Sequence, residues 1–136
     1  MGYEKEILDT CHVVAIVGLS SKTERASNHV GSYLQEAGYK IIPVNPSEKE
    51  ILGEVCYPDL TSIPEKVDVV DIFRRSEDVP PIVEEAIKIG AKAVWMQEGV
   101  VNEEAARKAM ISGLKVVMDR CMRKEHVKLH AGVDWD

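Results

Sequence analysis

Apolar residues along the chain follow two patterns that alternate. Five short runs are almost continuously apolar and rich in valine and isoleucine, which is typical of parallel strands covered on both faces. These predicted strands cover residues 13–17, 41–44, 69–73, 93–96 and 116–118. Elsewhere, apolar residues recur every three or four positions, which predicts amphipathic helices that end before Gly38, Gly90 and Gly113.

The junction between helix and strand repeats three times. Gly38, Gly90 and Gly113 each stand two residues before a lysine that opens an apolar run. Glycine often ends helices because it adopts the left-handed conformation without steric cost. The alternation of helix and strand favours right-handed crossovers. We therefore predict an α/β fold, a three-layer, Rossmann-like, doubly wound and mainly parallel sheet of about five or six strands.

Several shorter signals refine this prediction. A further short strand is predicted at residues 54–57, and residues 47–51 are predicted to form a loop or a helical turn. Asn102 is a predicted N-cap, because two glutamates that complement the helix dipole follow it. Pro80 and Pro81 fit the first turn of a helix, where the backbone amides lack intrahelical partners.

Length and composition indicate one domain. The 136 residues are 45% hydrophobic and 29% charged, which are ordinary values for a globular protein. We predict a single domain over residues 1–136, with a core from about 12 to 121 and a polar C-terminal tail at 122–136. A dehydrogenase or kinase with separate cofactor and substrate domains does not fit this length.

Charge and cysteine content exclude other classes. The formal net charge is −6 at pH 7, which argues against a nucleic-acid partner. The three cysteines show no paired spacing, no secretory signal is recognisable, and the apolar runs are too short to cross a bilayer. We expect a cytoplasmic protein with a small-molecule ligand and no nucleic-acid or membrane partner.

The loop after the first predicted strand is the first candidate site, since parallel sheets bind ligands at the carboxyl ends of their strands. The candidate residues here are Gly18, Ser20, Ser21, Lys22, Arg25 and Asn28. A glycine followed by hydroxyl side chains before a helix N-terminus suits a phosphate group. The same residues also fit an ordinary turn in which serine and asparagine cap the helix.

The end of the second predicted strand argues against NAD. Val44, Asn45 and Pro46 stand where an NAD-binding domain usually places an acidic residue against the ribose hydroxyls. Neither the dinucleotide fingerprint nor the P-loop pattern is present. A ribose that carries a phosphate would not be repelled here.

Two further strand ends carry polar candidates. They are Ile72, Phe73, Arg74 and Arg75, which end and follow the third main strand, and Gln97, Glu98 and Gly99, which follow the fourth. Arginine offers a planar fork of donors to phosphate, although a solvated arginine pair beside a core phenylalanine is an equally ordinary arrangement. We nominate no catalytic residue. We also expect no metal site, because His126 and His130 lack the partners that a metal needs.

Five fragments in order resemble a known family. Residues 17–20, 38–46, 67–73, 94–99 and 119–121 are similar to the small stand-alone CoA-binding proteins. That family is similar to the N-terminal CoA-binding domain of the succinyl-CoA synthetase alpha subunit. The resemblance covers the chain from about His12 to Cys121.

The resemblance implies coenzyme A as the cofactor and a role for each strand end. Gly18, Ser20 and Ser21 would meet the diphosphate, the segment 44–46 would pack near the adenosine, and the segment 72–74 would line the pantetheine side. Residues 97–99 correspond to a fourth edge loop. The second domain of the synthetase, with its phosphorylated histidine, has no counterpart in the resemblance, so ligase activity is not implied.

We therefore expect binding of CoA or an acyl-CoA at the carboxyl edge of the sheet, without catalysis by this chain. The cations at Lys22, Arg25, Arg74 and Arg75 would meet phosphates on electrostatic grounds. One alternative is an NAD(P)-dependent or acyl-CoA-handling enzyme completed by a homodimer or a partner subunit. Another is thiol exchange between Cys121 and the CoA thiol, which requires Cys121 to lie at the ligand edge.

Overall fold

The computed structural model of the chain describes residues 2–130, with seven strands and five α-helices in this range. The strands are β1 (Val13–Val17), β2 (Lys40–Val44), β3 (Glu50–Ile51), β4 (Glu54–Val55), β5 (Val69–Ile72), β6 (Ala93–Met96) and β7 (Lys115–Val117). The helices are α1 (Glu4–Thr10), α2 (Ala26–Glu36), α3 (Val79–Lys88), α4 (Glu103–Ile111) and α5 (Met122–His130). None of these helices combines the length and the apolar character needed to cross a membrane.

Five strands form one parallel sheet in the order β2-β1-β5-β6-β7. The chain leaves β1 toward one side to form β2 and then crosses back to form β5 on the other side of β1. The strand order therefore reverses between β1 and β5, whose carboxyl ends are aligned by the register Val17 to Ile72. The predicted α/β, Rossmann-like fold with a mainly parallel sheet is confirmed.

The sheet is covered on both faces, which explains why its strands are almost continuously apolar. Ala15 and Val17 belong to the core beneath α3 and α4, whereas Val14 and Ile16 belong to the core beneath α1, α2 and α5. Helix α4 contributes alanines at positions 105, 106 and 109 to the first of these cores. The result is a three-layer arrangement of helices, sheet and helices. The carboxyl ends of β1, β5 and β6 lead into segments that the helices leave accessible at one edge of the sheet.

The local signals in the sequence have their expected structural counterparts. Asn102 accepts a hydrogen bond from the amide of Ala105 at 2.9 Å, so it is the N-cap of α4. Pro80 and Pro81 lie in the first turn of α3. Gly38, Gly90 and Gly113 all have positive φ angles, as their role in ending helices requires.

The prediction of a loop or a helical turn over residues 47–51 is confirmed for 47–49 but is wrong for residues 50–51, which form a strand, and the short strand predicted at 54–57 is present as β4. Glu50–Ile51 pairs with Glu54–Val55 as a small antiparallel hairpin. Leu52 and Gly53 connect the two strands with φ angles of 55° and 77°. A two-residue loop of type I′ needs positive φ at both positions, and leucine seldom adopts it, so only Gly53 is a residue that the sequence offers as a sign of this turn.

Both ends of the described chain add to the core. Ile7 and Leu8 of α1 and Met122 of α5 are buried against the same face of the sheet. The packed core therefore extends past the predicted bounds of about 12 and 121. Part of the predicted polar tail is the helix α5, and residues 131–136 lie outside the described residues.

Candidate functional site

The carboxyl ends of β1, β5 and β6 open into a cleft of about 570 Å³, which we call the main cleft. Its walls come from the loop after β1, the first turn of α2, and the segments that follow β5 and β6. The lining residues are Gly18, Ser20, Arg25, Ala26, Ser27, Phe73, Arg74, Arg75, Asp78, Gln97, Glu98 and Val100. The cleft lies at the reversal of strand order, where open α/β sheets bind ligands.

Gly18 allows the loops after β1 and β5 to touch. Its φ angle is +92°, and a Cβ atom at this position would lie 2.2 Å from the carbonyl oxygen of Phe73. The Gly18 amide also donates to the Val44 carbonyl at 2.9 Å. Both the backbone conformation and the lack of space therefore require glycine at the floor of the cleft.

Buried polar side chains hold the loop that follows Gly18. The Ser20 amide donates to the Ser27 hydroxyl at 3.0 Å, and the Asn28 side-chain amide donates to the Ser20 carbonyl at 2.9 Å. Ser27 and Asn28 are both buried. The loop is therefore tied to the first turn of α2 before any ligand arrives.

The first turn of α2 faces the main cleft without a side-chain cap. Arg25 occupies the N-cap position, and no hydrogen bond from its side chain caps the helix. Ala26 and Ser27, the first two helical residues, line the cleft. First-turn amides have no intrahelical acceptor, and they carry the positive end of the helix dipole.

Ion pairs leave the main cleft with a surplus of positive charge. Asp78 pairs with Arg75 at 3.0 Å, and Glu98 pairs with Lys124 at 3.1 Å, so both acidic side chains of the lining are neutralised. Arg25 and Arg74 have no carboxylate within 4.0 Å among residues 2–130. An acidic protein thus presents two uncompensated guanidinium groups at this edge.

The residues predicted as ligand contacts divide into two groups by position. Those that line the main cleft are Gly18, Ser20, Arg25, Phe73, Arg74, Arg75, Gln97 and Glu98. Those outside its lining are Ser21, Lys22, Asn28, Val44, Asn45, Pro46, Ile72 and Gly99. Val44 and Ile72 are buried in the core, and their carbonyl groups already accept hydrogen bonds from the amides of Gly18 and Gln97.

Asn45 has a structural role in the region beside the main cleft. Its side-chain amide donates to the Leu19 carbonyl at 3.1 Å, and its side-chain oxygen accepts from the Ser47 amide at 2.8 Å. Pro46, Ser21 and Lys22 are exposed, and the Ser21 hydroxyl donates to Glu48 at 3.1 Å. Asn45 therefore joins the loops after β1 and β2.

Sequence reasoning missed part of the cleft lining. Ala26, Ser27, Asp78 and Val100 line the main cleft but were not among the candidate residues. Ser27 could have been found, because it stands three, four and seven residues before Val30, Gly31 and Leu34 and so belongs to the buried stripe of α2. A hydroxyl on an otherwise apolar stripe signals a buried hydrogen bond.

A second cleft of about 320 Å³ adjoins the main cleft, and we call it the side cleft. Ala26, Phe73, Gln97 and Glu98 line both. The side cleft adds His29, Val30, Cys121, Arg123 and Lys124. Gln97 is only 4% exposed, and its Oε1 atom accepts from the Met122 amide at 3.2 Å, which joins the start of α5 to the end of β6.

Cys121 lies at the ligand edge, as the thiol-exchange hypothesis requires, because it lines the side cleft. Its side chain is nevertheless almost wholly buried. Burial raises the pKa values of the other two thiols, at Cys11 and Cys56.

Asp71, in the middle of β5, carries a fully buried carboxyl group. Its side chain is fully buried, and neither oxygen has a hydrogen-bond partner within the part of the chain that the structure describes. Burial raises the pKa of this carboxyl well above its usual value. The group is therefore protonated under conditions in which exposed carboxyls are ionised.

Comparison with known proteins gives one family and several relatives. The family described as "CoA binding domain" matches residues 12–127. The uncharacterized protein YneT of Bacillus subtilis is 43% identical over 122 residues, which are 90% of each chain. A hypothetical protein of Pyrococcus horikoshii OT3 is 47% identical, with a TM-score of 0.90 over 93% of this chain and 89% of that one.

Larger enzymes contain a similar region. Acetate–CoA ligase [ADP-forming] I of Archaeoglobus fulgidus is 31% identical over 120 residues, which are 81% of this chain and 18% of the ligase. The dinucleotide forming acetyl-coenzyme A synthetase 1 of Ca. Korarchaeum cryptofilum is 28% identical, with a TM-score of 0.72. Its alignment covers 82% of this chain and 26% of the synthetase. This chain therefore spans only a small part of either enzyme.

Proposed function

This chain belongs to the CoA-binding domain family, and from that premise we propose that it binds coenzyme A, free or as an acyl thioester, at the carboxyl edge of its parallel sheet. The observation that carries the proposal is the main cleft, where the N-terminus of α2 has no side-chain cap and two arginines have no carboxylate partner within residues 2–130. That combination suits a diphosphate.

The diphosphate would lie over Gly18 and the first turn of α2. Gly18 lines the main cleft where the loops after β1 and β5 touch, and the amides of Ala26 and Ser27 would supply donors to the ligand there. Arg25 and Arg74 would add charge-assisted hydrogen bonds. The local positive charge offsets the repulsion between a protein of net charge −6 and an anionic ligand.

The two ends of the ligand would diverge from this point. By the family resemblance, the adenosine would lie near the segment 44–46 and the pantetheine near Phe73. Lys22 is exposed in the loop after β1, and it would supply the cation for the 3′-phosphate. The ribose diol of NAD would meet Asn45 there rather than a carboxylate, and this asparagine already bonds Leu19 and Ser47.

We propose a binding role without catalysis by this chain alone. No histidine or cysteine is among the described residues that line the main cleft, and the Ser20 hydroxyl accepts from the Lys22 amide. An acyl-CoA-handling or NAD(P)-dependent activity would need groups from a second copy or a partner subunit. Three free, buried cysteines suit a reducing cytoplasm.

Calorimetric titration with CoA, dephospho-CoA, NADP and NAD tests this proposal. We expect CoA to bind at least about tenfold more tightly than NAD, and dephospho-CoA to bind more weakly than CoA if a cation reads the 3′-phosphate. Affinity for CoA no greater than affinity for NAD would overturn the proposal.

A pair of variants assigns the binding to the main cleft. Arg74→Ala should weaken CoA binding by about tenfold and reduce its dependence on salt, because one charge-assisted contact is lost. Arg107→Ala removes the same charge from exposed α4, away from the cleft, and should leave both quantities unchanged. Equal effects of the two substitutions would mean that only net charge matters.

A further inference from the structure

The side cleft continues the path that the pantetheine arm would follow. Phe73 lies between the two clefts and lines both, together with Ala26, Gln97 and Glu98. A ligand that runs from Gly18 past Phe73 therefore brings its sulfur end to the side cleft. This step rests on the proposed function.

The lining of the side cleft combines an apolar wall with polar groups. Val30, Phe73 and Cys121 provide apolar surface, and Val30 and Cys121 are themselves buried. Gln97 is fixed through its Oε1 atom, which leaves its NH₂ group as the donor that remains available. Pockets with mostly apolar walls and a few placed polar groups are typical of small-molecule sites.

Among residues 2–130, Arg123 is the cation of this cleft that has no counter-charge. Lys124 is paired with Glu98, whereas Arg123 has no carboxylate within 4.0 Å in the described range 2–130. The Nε atom of Arg123 is buried and has no hydrogen-bond partner in the same range. Buried donors without a partner are uncommon, because leaving one unsatisfied costs free energy.

We propose that the side cleft holds the acyl group of a short acyl-CoA whose chain ends in a carboxylate. The apolar wall would cover the methylene groups, and the terminal carboxylate would accept hydrogen bonds from the Arg123 guanidinium. A carboxylate matches the guanidinium fork in both charge and geometry. The Gln97 NH₂ group, which the bond between Gln97 Oε1 and the Met122 amide holds in place, would donate a hydrogen bond to the carbonyl oxygen of the thioester.

Titrations with glutaryl-CoA and valeryl-CoA test this inference, because their five-carbon acyl groups differ only in the terminal carboxylate. We expect the wild-type protein to bind glutaryl-CoA about tenfold more tightly than valeryl-CoA, in line with one charge-assisted contact. Arg123→Gln should abolish this ratio and change the affinity for free CoA less than about twofold. Arg120→Gln removes an exposed arginine that lines neither cleft, and should retain the ratio.

The outcomes separate this inference from the proposed function. If CoA binds and the wild-type ratio is near one, or if the ratio persists in Arg123→Gln, the acyl assignment is wrong and CoA binding stands. An equal loss of affinity for all three ligands in Arg123→Gln also overturns it, since Arg123 would then contact the CoA portion. If CoA itself fails to bind, both proposals fall. The wild-type comparison needs no variant, so it decides even if Arg123→Gln does not fold.

Discussion

Gly18 is the residue on which the geometry of the main cleft most directly depends. Its backbone approaches the Phe73 carbonyl so closely that no side chain fits between the two loops. Gly38, in contrast, has a similar φ of +101° but open space around its Cβ position. The two glycines therefore separate the cost of backbone conformation from the cost of a steric clash.

We predict that Gly18→Ala lowers the free energy of unfolding by about 2–4 kcal/mol, whereas Gly38→Ala lowers it by about 1–2 kcal/mol. The additional loss at Gly18 arises because the ends of β1 and β5 must move apart. Urea unfolding measures both values. Equal losses in the two variants would mean that the contact with Phe73 does not constrain the loop.

Asp71 makes a second prediction at the scale of one residue. Its pKa is raised by burial in the folded protein, so the folded state holds this proton more tightly than the unfolded state does. The stability linked to Asp71 is therefore fully present below the ordinary carboxyl pKa, and it is lost as the pH rises through the raised folded-state value.

Asp71→Asn should consequently stabilise the protein more at pH 7.5 than at pH 4.5, relative to the wild type. The asparagine has nearly the same shape but does not ionise, so the pH-dependent penalty disappears. Urea unfolding at the two pH values gives the comparison. A difference between variant and wild type that does not change with pH would show that Asp71 does not titrate in this range.

At the scale of elements, helix α5 packs on the same face of the sheet as α1 and α2, and its first turn lies at the edge that carries the clefts. Its first residue bonds Gln97, and Lys124 pairs with Glu98, so the start of the helix forms one wall of the side cleft. Farther along, His126 lies against α2, where the Tyr33 hydroxyl is 2.7 Å from the His126 Nδ1 atom. The packing of His126 therefore helps to hold the wall in place.

Protonation of His126 should loosen α5. Burial is the main cause that lowers its pKa, the stacked His130 adds to it, and Asp9 of α1 opposes it. Tyr33 and Tyr39 face the same ring edge-on. Because the folded-state pKa is depressed, the associated stability is present above the ordinary histidine pKa of about 6.5 and is lost as the pH falls through the lower folded value.

His126→Gln should flatten the decrease in melting temperature between pH 7.5 and pH 5.5. The comparison is thermal unfolding of the wild type and the variant at both pH values. His12→Gln replaces an exposed histidine and should leave the decrease as it is in the wild type. A decrease of the same size in His126→Gln would contradict the assignment.

At the scale of the whole molecule, ligand binding and folding are coupled through the sheet edge. The main cleft is built from segments after three different strands, and these segments come together only in the folded chain. A ligand that binds this arrangement therefore stabilises the folded state by mass action.

CoA at about one hundred times its dissociation constant should add about 2.7 kcal/mol to the stability and raise the melting temperature by roughly 5–15 °C. Differential scanning fluorimetry measures the shift, with NAD at the same concentration as the comparison. If CoA at concentrations that saturate calorimetric binding leaves the melting temperature unchanged, CoA does not bind preferentially to the folded state, and the prediction is wrong.

Much of the fold could be predicted because its signals are local. Continuous apolar runs gave each of the five main strands to within one residue at either end, and Asn102 marked the start of α4 correctly. The short strand predicted at residues 54–57 is present as β4, but its partner β3 at Glu50–Ile51 was missed, because the turn between them uses Leu52 at a positive φ angle that no local preference favours. Helix α5 was missed because the long-range contacts of Met122 and His126 stabilise it.

The sequence by itself determined the alternation of strand and helix, the glycines that end the helices, and the resemblance to CoA-binding proteins. These depend on periodicity and on residues close together in the chain. Only the tertiary structure decided which charges remain available at the binding edge. Asp78 and Glu98 are neutralised by Arg75 and Lys124, whereas Arg25, Arg74 and Arg123 are left without a carboxylate among residues 2–130. Arg75 and Asp78 are only three residues apart, but Glu98 and Lys124 are 26 apart, and the distance between such remote segments is set by folding alone.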